Sequence, residues 1–421
     1  MSLLFFTSCE DLEQFPTNIA SSESLDEYSG VLNAAYFYQH ASATPMAVMG
    51  DFRADNAFMF EAPFDDFDKF DPNLPSMDNQ FFSPFYSALY KSILSANSVI
   101  ENSTDATEVG EAQFLRALSY FKLVRVFGDV TVNLSASPDL TDDSILRRRP
   151  AAEVYDDVII PDLEDAIAVL GTEIDNGRAS QLAAQGLLGK VYVQRGNFAS
   201  AESHLAAVVN GAAGAEISLQ ENFGDIFGVD NDLNSEILFA TQMSTSINDE
   251  YGFSEFWSWS GGLDTKSLEP LDPDLVAAFD ASPGDLRREI TIDTSVMASP
   301  KFPQTGGGDY DWIELRLGDV ILLYAEALNE NGNAAAAAVE LNKIRTRAGL
   351  ADYDGNDLRQ AIQDERRLEL AFEGQRWFDL VRTGTVDAEM GQTIDKNYHL
   401  FPVPNSEVLS SLGLITQNEG Y

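Results

Sequence analysis

The chain has 421 residues, of which 44% are hydrophobic, so it can bury a large core, and its length alone allows two or three domains. It carries 26 basic against 68 acidic residues, a formal net charge of −42 at pH 7, which repels phosphate backbones and anionic lipid headgroups. Nucleic acid and a membrane surface bound through basic residues are therefore disfavoured as partners, and no nucleic-acid ligand is predicted.

The first nine residues have the order of the end of a lipoprotein signal. The apolar run from Leu3 to Phe6 is followed by Thr7, Ser8 and Cys9, as an apolar region precedes a small-residue cleavage site. The basic region that opens such signals is missing, and Phe6 stands where they usually carry leucine. Cys9 is the single cysteine, which rules out an internal disulfide. The pattern predicts lipidation of Cys9, with a buried structural cysteine as the alternative.

Residues 41–84 interleave proline, phenylalanine and aspartate. Proline interrupts helices and strands, and aspartate favours turns. The composition therefore predicts ordered loops over this range.

A helical repeat is predicted from Leu188 onward, in the sequence LGKVYVQRGNFASAESHL. Its small and large residues have the spacing of a tetratricopeptide helix pair. Gly189 would permit a close helix crossing, and Gly196 would lie in the turn between the helices.

Residues 244–266 hold two of the four tryptophans between glycine and serine neighbours, which disfavours a buried helix. A sugar ring presents an apolar face and a rim of hydroxyls, so a protein holds it by stacking an aromatic ring and hydrogen-bonding the edge. The residues predicted to touch ligand here are Tyr251, Phe253, Phe256, Trp257 and Trp259. The alternation in FWSWS also fits a strand with Trp257 and Trp259 on one buried face, and this alternative stays open.

A second, looser copy of the repeat begins at Tyr324, where Gly332 and Asn333 end one helix and an alanine run from Ala334 starts the next. Such repeats are usually structural, because each helix pair buries the face of its neighbour. The two copies predict a scaffold of stacked helical hairpins with a broad surface for another protein.

Residues 362–384 join a charged helical run to an aromatic one without a catalytic group between them. The run from Ile362 to Phe372 is rich in good helix formers, with Leu368, Ala371 and Phe372 on one face and charges of alternating sign on the others. Gly374 is predicted to bend or end this helix before a second apolar block around Trp377.

The sequence contains no motif for catalysis. The nearest match to a serine-hydrolase turn, GFSEF at Gly252, lacks the second glycine, and the three histidines show no metal-ligand spacing. We therefore predict a protein that is not an enzyme and has no cofactor and no metal site.

Five blocks in a fixed order resemble the SusD/RagB family, outer-membrane lipoproteins that capture nutrients for a TonB-dependent transporter. The blocks are EAQFLRALSYFKLVRVFGDVTVNL at Glu111, NSEILFA at Asn234, DWIELRLGDVILLYAEALNE at Asp311, the stretch 362–384, and the ending with FPVPNSEV at Phe401 and ITQNEGY at Ile415. Together they are far more specific than any one motif.

The resemblance implies a mostly α, SusD-like fold, with tetratricopeptide-like helix pairs as scaffold, a loop-rich lobe and a few short strands. Residues 1–9 would be the signal remnant, and 10–421 a single domain with ligand-binding loops around 41–84 and 244–266. The implied function is to bind oligosaccharide or polysaccharide at the cell surface and deliver it to a SusC-like TonB-dependent transporter. The acidic residues Glu10, Asp11 and Glu13 resemble the tag that sends such lipoproteins to the surface of the outer membrane.

The resemblance also extends the candidate site. GDFRADNAF, from Gly50, is similar to a family segment whose polar and aromatic residues commonly contribute to binding. It implies Arg53, Asp55 and Asn56 as hydrogen-bonding partners and Phe64 as a platform, although an Asp-Asn pair is often simply a turn. Two other functions remain: capture of peptides for the same kind of transporter, using the acidic loop 65–71, and degradation of glycan, for which no motif is present.

Overall fold

The computed structural model describes residues 28–59, 62–139, 141–174, 177–243, 253, 270–302 and 310–421. Within these ranges the helices of eight or more residues are α1 (Ser29–Phe37), α2 (His40–Asp51), α3 (Ser83–Asn102), α4 (Ala106–Phe127), α5 (Ile160–Val169), α6 (Gln181–Gln194), α7 (Phe198–Gly211), α8 (Pro273–Asp280), α9 (Leu317–Glu330), α10 (Ala334–Arg347), α11 (Leu358–Leu370) and α12 (Arg376–Thr383). The strands are β1 (Val130–Thr131), β2 (Arg148–Arg149), β3 (Ile237–Thr241) and β4 (Trp312–Arg316).

Shorter helical turns join these elements. They are Asp66–Lys69, Leu74–Met77, Asp78–Phe82, Asp143–Leu146, Ala151–Val154, Tyr155–Ile159, Ala212–Ala215, Phe223–Ile226, Arg288–Thr291, Val386–Glu389, Lys396–Tyr398 and Asn405–Ser410. The fold is thus mostly helical with a few short strands, which confirms the predicted fold class.

The predicted repeats form two stacked helical hairpins. Helix α6 pairs with α7 and α9 pairs with α10, and α7 packs against α9. A Cβ atom at Gly189 would lie 2.5 Å from the Leu205 side chain, so only glycine permits this close crossing of α6 and α7. The turns contain Gly196 and Gly332, with φ of +68° and +85°. The spacing of small and large residues therefore predicted these hairpins correctly.

Local sequence signals start several of these helices. The side chains of Asp105, Ser180, Asn197, Asn333 and Asp357 each accept a hydrogen bond from a backbone N–H in the first turn of α4, α6, α7, α10 and α11, respectively. Such caps satisfy N–H groups that have no partner inside the helix.

The remaining long helices pack beside the repeats. Helix α4 lies against α3 and α5, α1 packs on α3, and α5 on α6. Strands β3 and β4 form an antiparallel ribbon in which Ile237 is opposite Arg316 and Thr241 is opposite Trp312. All five residues of β3 are buried. None of the helices in the described ranges has both the length and the apolar character needed to cross a bilayer.

The stretch 362–384 folds largely as predicted. Helix α11 ends at Leu370, two residues before the predicted end, and α12 begins at Arg376. Gly374, with φ of +69°, lies in the turn between them. Ala371 and Phe372, predicted on the apolar face, are fully buried. A Cβ atom at Gly50, near the end of α2, would lie 2.2 Å from the carbonyl carbon of Gly374, so two backbones meet here directly.

The charges on this stretch belong to a buried ion cluster, an arrangement that the sequence did not indicate. The cluster consists of Glu236, Asp285, Arg287, Lys301, Arg316, Arg347, Glu365, Glu369 and Glu373, whose side chains are all at most 5% exposed. At its centre the Arg316 guanidinium donates to Glu373 Oε2 at 2.7 Å and to Glu369 Oε1 at 2.6 Å. It also donates to Glu236 Oε1 at 2.9 Å. The cluster therefore joins β3, β4 and the end of α11.

Several cations keep the central carboxylates ionised. Burial alone would raise the pKa of Glu369, but Arg347, Arg316 and Arg287 together hold it well below its usual value. The pKa of Glu373 is lowered in the same way by Arg316 and Lys301, against the effect of burial. Because each charged group has at least one ion-pair partner, the cluster satisfies the condition under which buried ions are tolerated.

A buried group of three charges outside this cluster gives a pH-dependent contribution to stability. Asp319 of α9 accepts hydrogen bonds from Lys190 of α6 at 2.8 Å and from Arg366 of α11 at 2.7 Å. Burial alone would raise the pKa of Asp319, but these two cations lower it to about 2. Since its folded pKa lies below the unfolded value of 3.8, this contribution is complete above pH ~4 and is lost as the pH falls toward 2.

We expect Asp319→Asn to reduce the free energy of unfolding by about 2 kcal/mol at pH 6, with a smaller difference from wild type at pH 3. Urea unfolding at both pH values measures this. Asp156→Asn, which removes a carboxylate that is 59% exposed and paired with Arg195, should cost less than about 1 kcal/mol at either pH. A loss for Asp319→Asn that is the same at pH 3 and pH 6 would contradict the proposed ionisation.

Candidate ligand-binding site

Most of the predicted aromatic contacts lie outside the described residues. This applies to Tyr251, Phe256, Trp257 and Trp259, and also to Cys9. Their contact with ligand, and the lipidation of Cys9, therefore stay predictions.

Phe253 is described, and it is buried. Its side chain is 2% exposed, with its ring centroid 5.0 Å from those of both Phe302 and Trp312 in edge-on contacts. Phe227 and Tyr310 extend this aromatic group through Phe302. The geometry gives Phe253 a packing role beside β4 and provides no support for the predicted contact with ligand.

Arg53, predicted to hydrogen-bond ligand, is fully buried. It donates to the carbonyl oxygens of Phe67 at 2.7 Å and Tyr398 at 2.9 Å, and its guanidinium lies 4.3 Å from the centroid of the Phe70 ring. Burial lowers the pKa of Arg53, and the Tyr421 hydroxyl, also in contact, opposes this effect. These interior contacts hold Tyr398 and Tyr421, near the end of the chain, against Arg53.

Asp55 and Asn56 are buried as well, and they bind the C-terminal stretch. Asp55 accepts two hydrogen bonds from Arg376, at 2.7 and 2.8 Å, which keep its pKa low although burial would raise it. Asn56 accepts from Arg367 and donates to Asp51 at 2.9 Å. Two of the blocks that resemble the SusD/RagB family thus bind each other, and nothing in this geometry supports ligand contact by Asp55 or Asn56.

Asp51 completes this connection. Its carboxylate accepts from the backbone N–H groups of Phe372 at 3.2 Å and Gly374 at 2.7 Å. Burial raises the pKa of Asp51 to about 6 despite these donors. Asp51 therefore holds the turn after α11 against the end of α2.

The stretch 41–84 is less loop-like than predicted. Residues 41–51 belong to α2, which contains Pro45, and shorter helical turns follow from residue 66. Phe64, predicted as a platform for ligand, is 7% exposed and packs edge-on against Phe81 at 6.4 Å. Most of the aromatic side chains described here fill the core because the helical turns fold back on α2 and α3, and Phe58, at 40% exposed, is an exception. Phe64 therefore has a packing role in this structure.

An open cleft of about 210 Å³ lies where α1 meets α2, beside the end of β3. We call it the α1–β3 cleft, and it is lined by Asn33, Tyr36, Phe37, Gln39, His40, Gly177, Arg178, Phe239, Ala240, Thr241 and Gln242. Phe37 is 49% exposed, and the His40 ring stands edge-on to it at 5.2 Å. Gln242 lies at the rim, two residues before the predicted aromatic loop begins in the sequence.

One wall of the cleft is a stacked polar group. The Arg178 guanidinium lies 4.5 Å from the centroid of the Tyr36 ring, pairs through Nε with Glu111 Oε2 at 2.6 Å, and donates to Asn33 Oδ1 at 2.7 Å. The Tyr36 hydroxyl donates to the same carboxylate. Burial, and then the negative charge of Glu111, raise the pKa of Tyr36 well above 10, so the phenol stays protonated.

A buried lysine, Lys122, supports the residues that form the floor of the cleft. The Lys122 ammonium, which is 2% exposed, donates to Gln39 Oε1 at 3.1 Å and is paired with Glu314. Glu314 in turn accepts from the Thr241 hydroxyl at 2.8 Å. Gln39 and Thr241 both line the cleft, so these internal hydrogen bonds hold its floor in place.

This cleft could not be located from the sequence. Its residues come from three distant segments, 33–40, 177–178 and 239–242. The one local signal is the sequence AYFYQH, from Ala35. It contains more aromatic residues than the buried side of a short helix can accommodate. Among the described residues no group of His, Cys, Asp or Glu could hold a metal ion.

Comparison with known proteins identifies the family. Residues 290–421 match the SusD family, and residues 5–193 match a family described as starch-binding and associating with the outer membrane. The chain is 28% identical over 495 aligned positions to SusD-like protein P2 of Formosa agariphila, across 100% of this chain and 98% of that protein. The chain belongs to the SusD/RagB family.

Solved structures of SusD-like proteins have the same fold. A SusD superfamily protein from Parabacteroides distasonis superposes with a TM-score of 0.79 at 23% identity, covering 96% of this chain and 100% of that one. A laminarin-binding SusD-like protein superposes with a TM-score of 0.77 at 24% identity, covering 94% and 99%. SusD family proteins bind without catalysis, which confirms the prediction that this SusD-like chain is not an enzyme.

Proposed function

We propose that this SusD-like protein binds oligosaccharide at the cell surface and delivers it to a SusC-like TonB-dependent transporter. The observation that carries the proposal is the α1–β3 cleft, because it combines an exposed aromatic ring at Phe37 with polar side chains at Arg178 and Gln242. Aromatic faces and hydrogen-bonding edges are the two features that a sugar ring requires. A relative of the same fold is named as a binder of laminarin, a neutral glucan, and this supports a glycan as ligand.

The proposal keeps the predicted roles of the aromatic segment 244–266 and of the lipid anchor at Cys9. Trp257 and Trp259 would provide stacking surfaces in addition to the cleft, and the acyl chain would hold the protein at the outer membrane. The stacked hairpins α6/α7 and α9/α10 would provide the surface for the transporter, as repeat scaffolds commonly do.

Changing both Trp257 and Trp259 to alanine is expected to weaken glycan binding about 30-fold, since each stacked ring contributes roughly 1 kcal/mol. The melting temperature should stay within about 2 °C of wild type. Affinity gels containing neutral glucans, fructans, mannans, chitin oligomers, alginate or casein peptides identify the ligand and measure the loss.

Val339→Ala is a suitable control, because this side chain is 59% exposed on α10 of the second hairpin. It should leave affinity unchanged. Unaltered affinity in the tryptophan double variant would remove residues 244–266 from the site, and binding of casein peptides alone would replace the glycan with a peptide as cargo.

A further inference from the structure

We infer that Glu111 sets the ligand class of the α1–β3 cleft: by neutralising Arg178 it makes the cleft select an uncharged sugar residue over a uronate or sulfated one. The inference rests on the proposed glycan-binding function and specifies it. It assigns a role in ligand specificity to Glu111 on α4, which contacts the cleft-lining residues Tyr36 and Arg178 but does not line the cleft itself.

The contacts of Arg178 carry this inference. One face of the guanidinium is stacked on Tyr36, Nε is paired with the Glu111 carboxylate, and Nη1 donates to Asn33. Its side chain is 32% exposed, whereas that of Glu111 is 8% exposed. Arg178 therefore presents its remaining N–H groups to the cleft, while the buried Glu111 carboxylate compensates its positive charge. Such a group donates hydrogen bonds to hydroxyl oxygens without a net attraction for an anion.

The surroundings strengthen this preference. Among the residues that the structure describes, the charged groups in direct contact with the cleft-lining residues are Arg178 with Glu111, and Lys122 with Glu314, and each pair sums to zero. The whole chain carries −42, so an anionic ligand meets a repulsive field, and no lysine or arginine in the described part of the cleft lacks a compensating carboxylate. A neutral ring can use Phe37 as an apolar contact and the Arg178 and Gln242 groups as hydrogen-bonding partners.

Glu111→Gln tests the inference, because it removes the compensating charge and keeps the shape of the side chain. The variant should gain about tenfold in affinity for alginate oligomers relative to laminarin oligomers of the same length, since one positive charge becomes uncompensated at the cleft. Isothermal titration calorimetry at 0.1 M salt measures both affinities. Adding Arg178→Gln to this variant should reverse the gain.

A second readout places the effect at the cleft. The protein has three histidines, so the ring signals of His40, which lies in the cleft, can be assigned by NMR with a His40→Gln variant. Laminarin oligomers should shift the His40 signals and leave those of His204 on α7 unchanged. Phe37→Ala, at an exposed position, should weaken laminarin binding about fivefold with no change in melting temperature.

The following results would overturn the inference about Glu111. An unchanged ratio of alginate to laminarin affinity in folded Glu111→Gln overturns the inference, and if that variant does not fold, an unchanged ratio in Arg178→Gln does so. A wild-type preference for alginate, or laminarin binding without any shift of His40, also overturns it while leaving glycan capture intact. Failure of every glycan in the panel to bind overturns the proposed function and this inference together.

Discussion

Arg316→Met is expected to destabilise the protein by about 3–5 kcal/mol, because it removes the central cation of the buried ion cluster. Arg316 is 1% exposed and makes five hydrogen bonds to Glu236, Glu369 and Glu373. Methionine fills much of the same volume, so the loss would report the uncompensated carboxylates rather than a cavity. Since the whole free energy of unfolding of a typical protein is about 5–15 kcal/mol, a large fraction of it would be lost. Urea unfolding at pH 7 measures the difference.

Arg149→Met provides the matched control, since Arg149 pairs with Glu153 and Asp157 on the surface and is 34% exposed. It should cost less than about 1 kcal/mol. Adding Glu373→Gln to Arg316→Met should restore about 1–2 kcal/mol, because one of the uncompensated carboxylates becomes neutral. If Arg316→Met is no more destabilising than the control, the cluster contributes no net stability.

Gly50→Ala is expected to cost about 3 kcal/mol or more, although it adds a single methyl group. The new Cβ would lie 2.2 Å from both the carbonyl carbon and the oxygen of Gly374. Backbone cannot move aside as a flexible side chain can, and the turn at Gly374 is held by two hydrogen bonds to Asp51. The end of α2 would therefore have to separate from the turn after α11. Thermal and urea unfolding measure the loss.

Gly30→Ala is the comparison for this substitution. Gly30 is an exposed residue of α1, and a Cβ atom added there would have no other atom within 4 Å, so alanine should be neutral or stabilise the helix by up to about 1 kcal/mol. Similar effects of the two substitutions would show that the contact between Gly50 and Gly374 is not tight in solution.

The helical scaffold could be predicted because its signals are local. In the first repeat Gly189 and Leu205 lie close in sequence and meet across a single hairpin, so their spacing alone indicated the crossing. Gly374 lies in the turn between α11 and α12, close to where the helix was predicted to bend or end, because a positive φ is cheap only for glycine.

The buried charges could not be predicted, because their partners are distant in sequence. Glu369 looked like one of several alternating charges on a polar helix face, yet its partners Arg287, Arg316 and Arg347 come from three other elements. The same holds for Asp55, whose partner Arg376 lies more than 300 positions away. A polar segment that resembled a binding motif thus proved to be a junction inside the protein.

Two hydrogen bonds, one of them next to the ribbon of β3 and β4, hold the chain on either side of the segment that is proposed to contact ligand. The Met243 N–H donates to Asp311 at 2.8 Å, and after the aromatic segment the Pro270 carbonyl accepts from Phe58 N–H at 3.0 Å. These two contacts anchor the chain at Met243, immediately before residue 244, and at Pro270, immediately after residue 269. Trp257 and Trp259, which are proposed to stack on ligand, lie between these two anchoring contacts in the sequence, so exchange of that segment is the expected route by which the ligand could change while the helical hairpins stay the same.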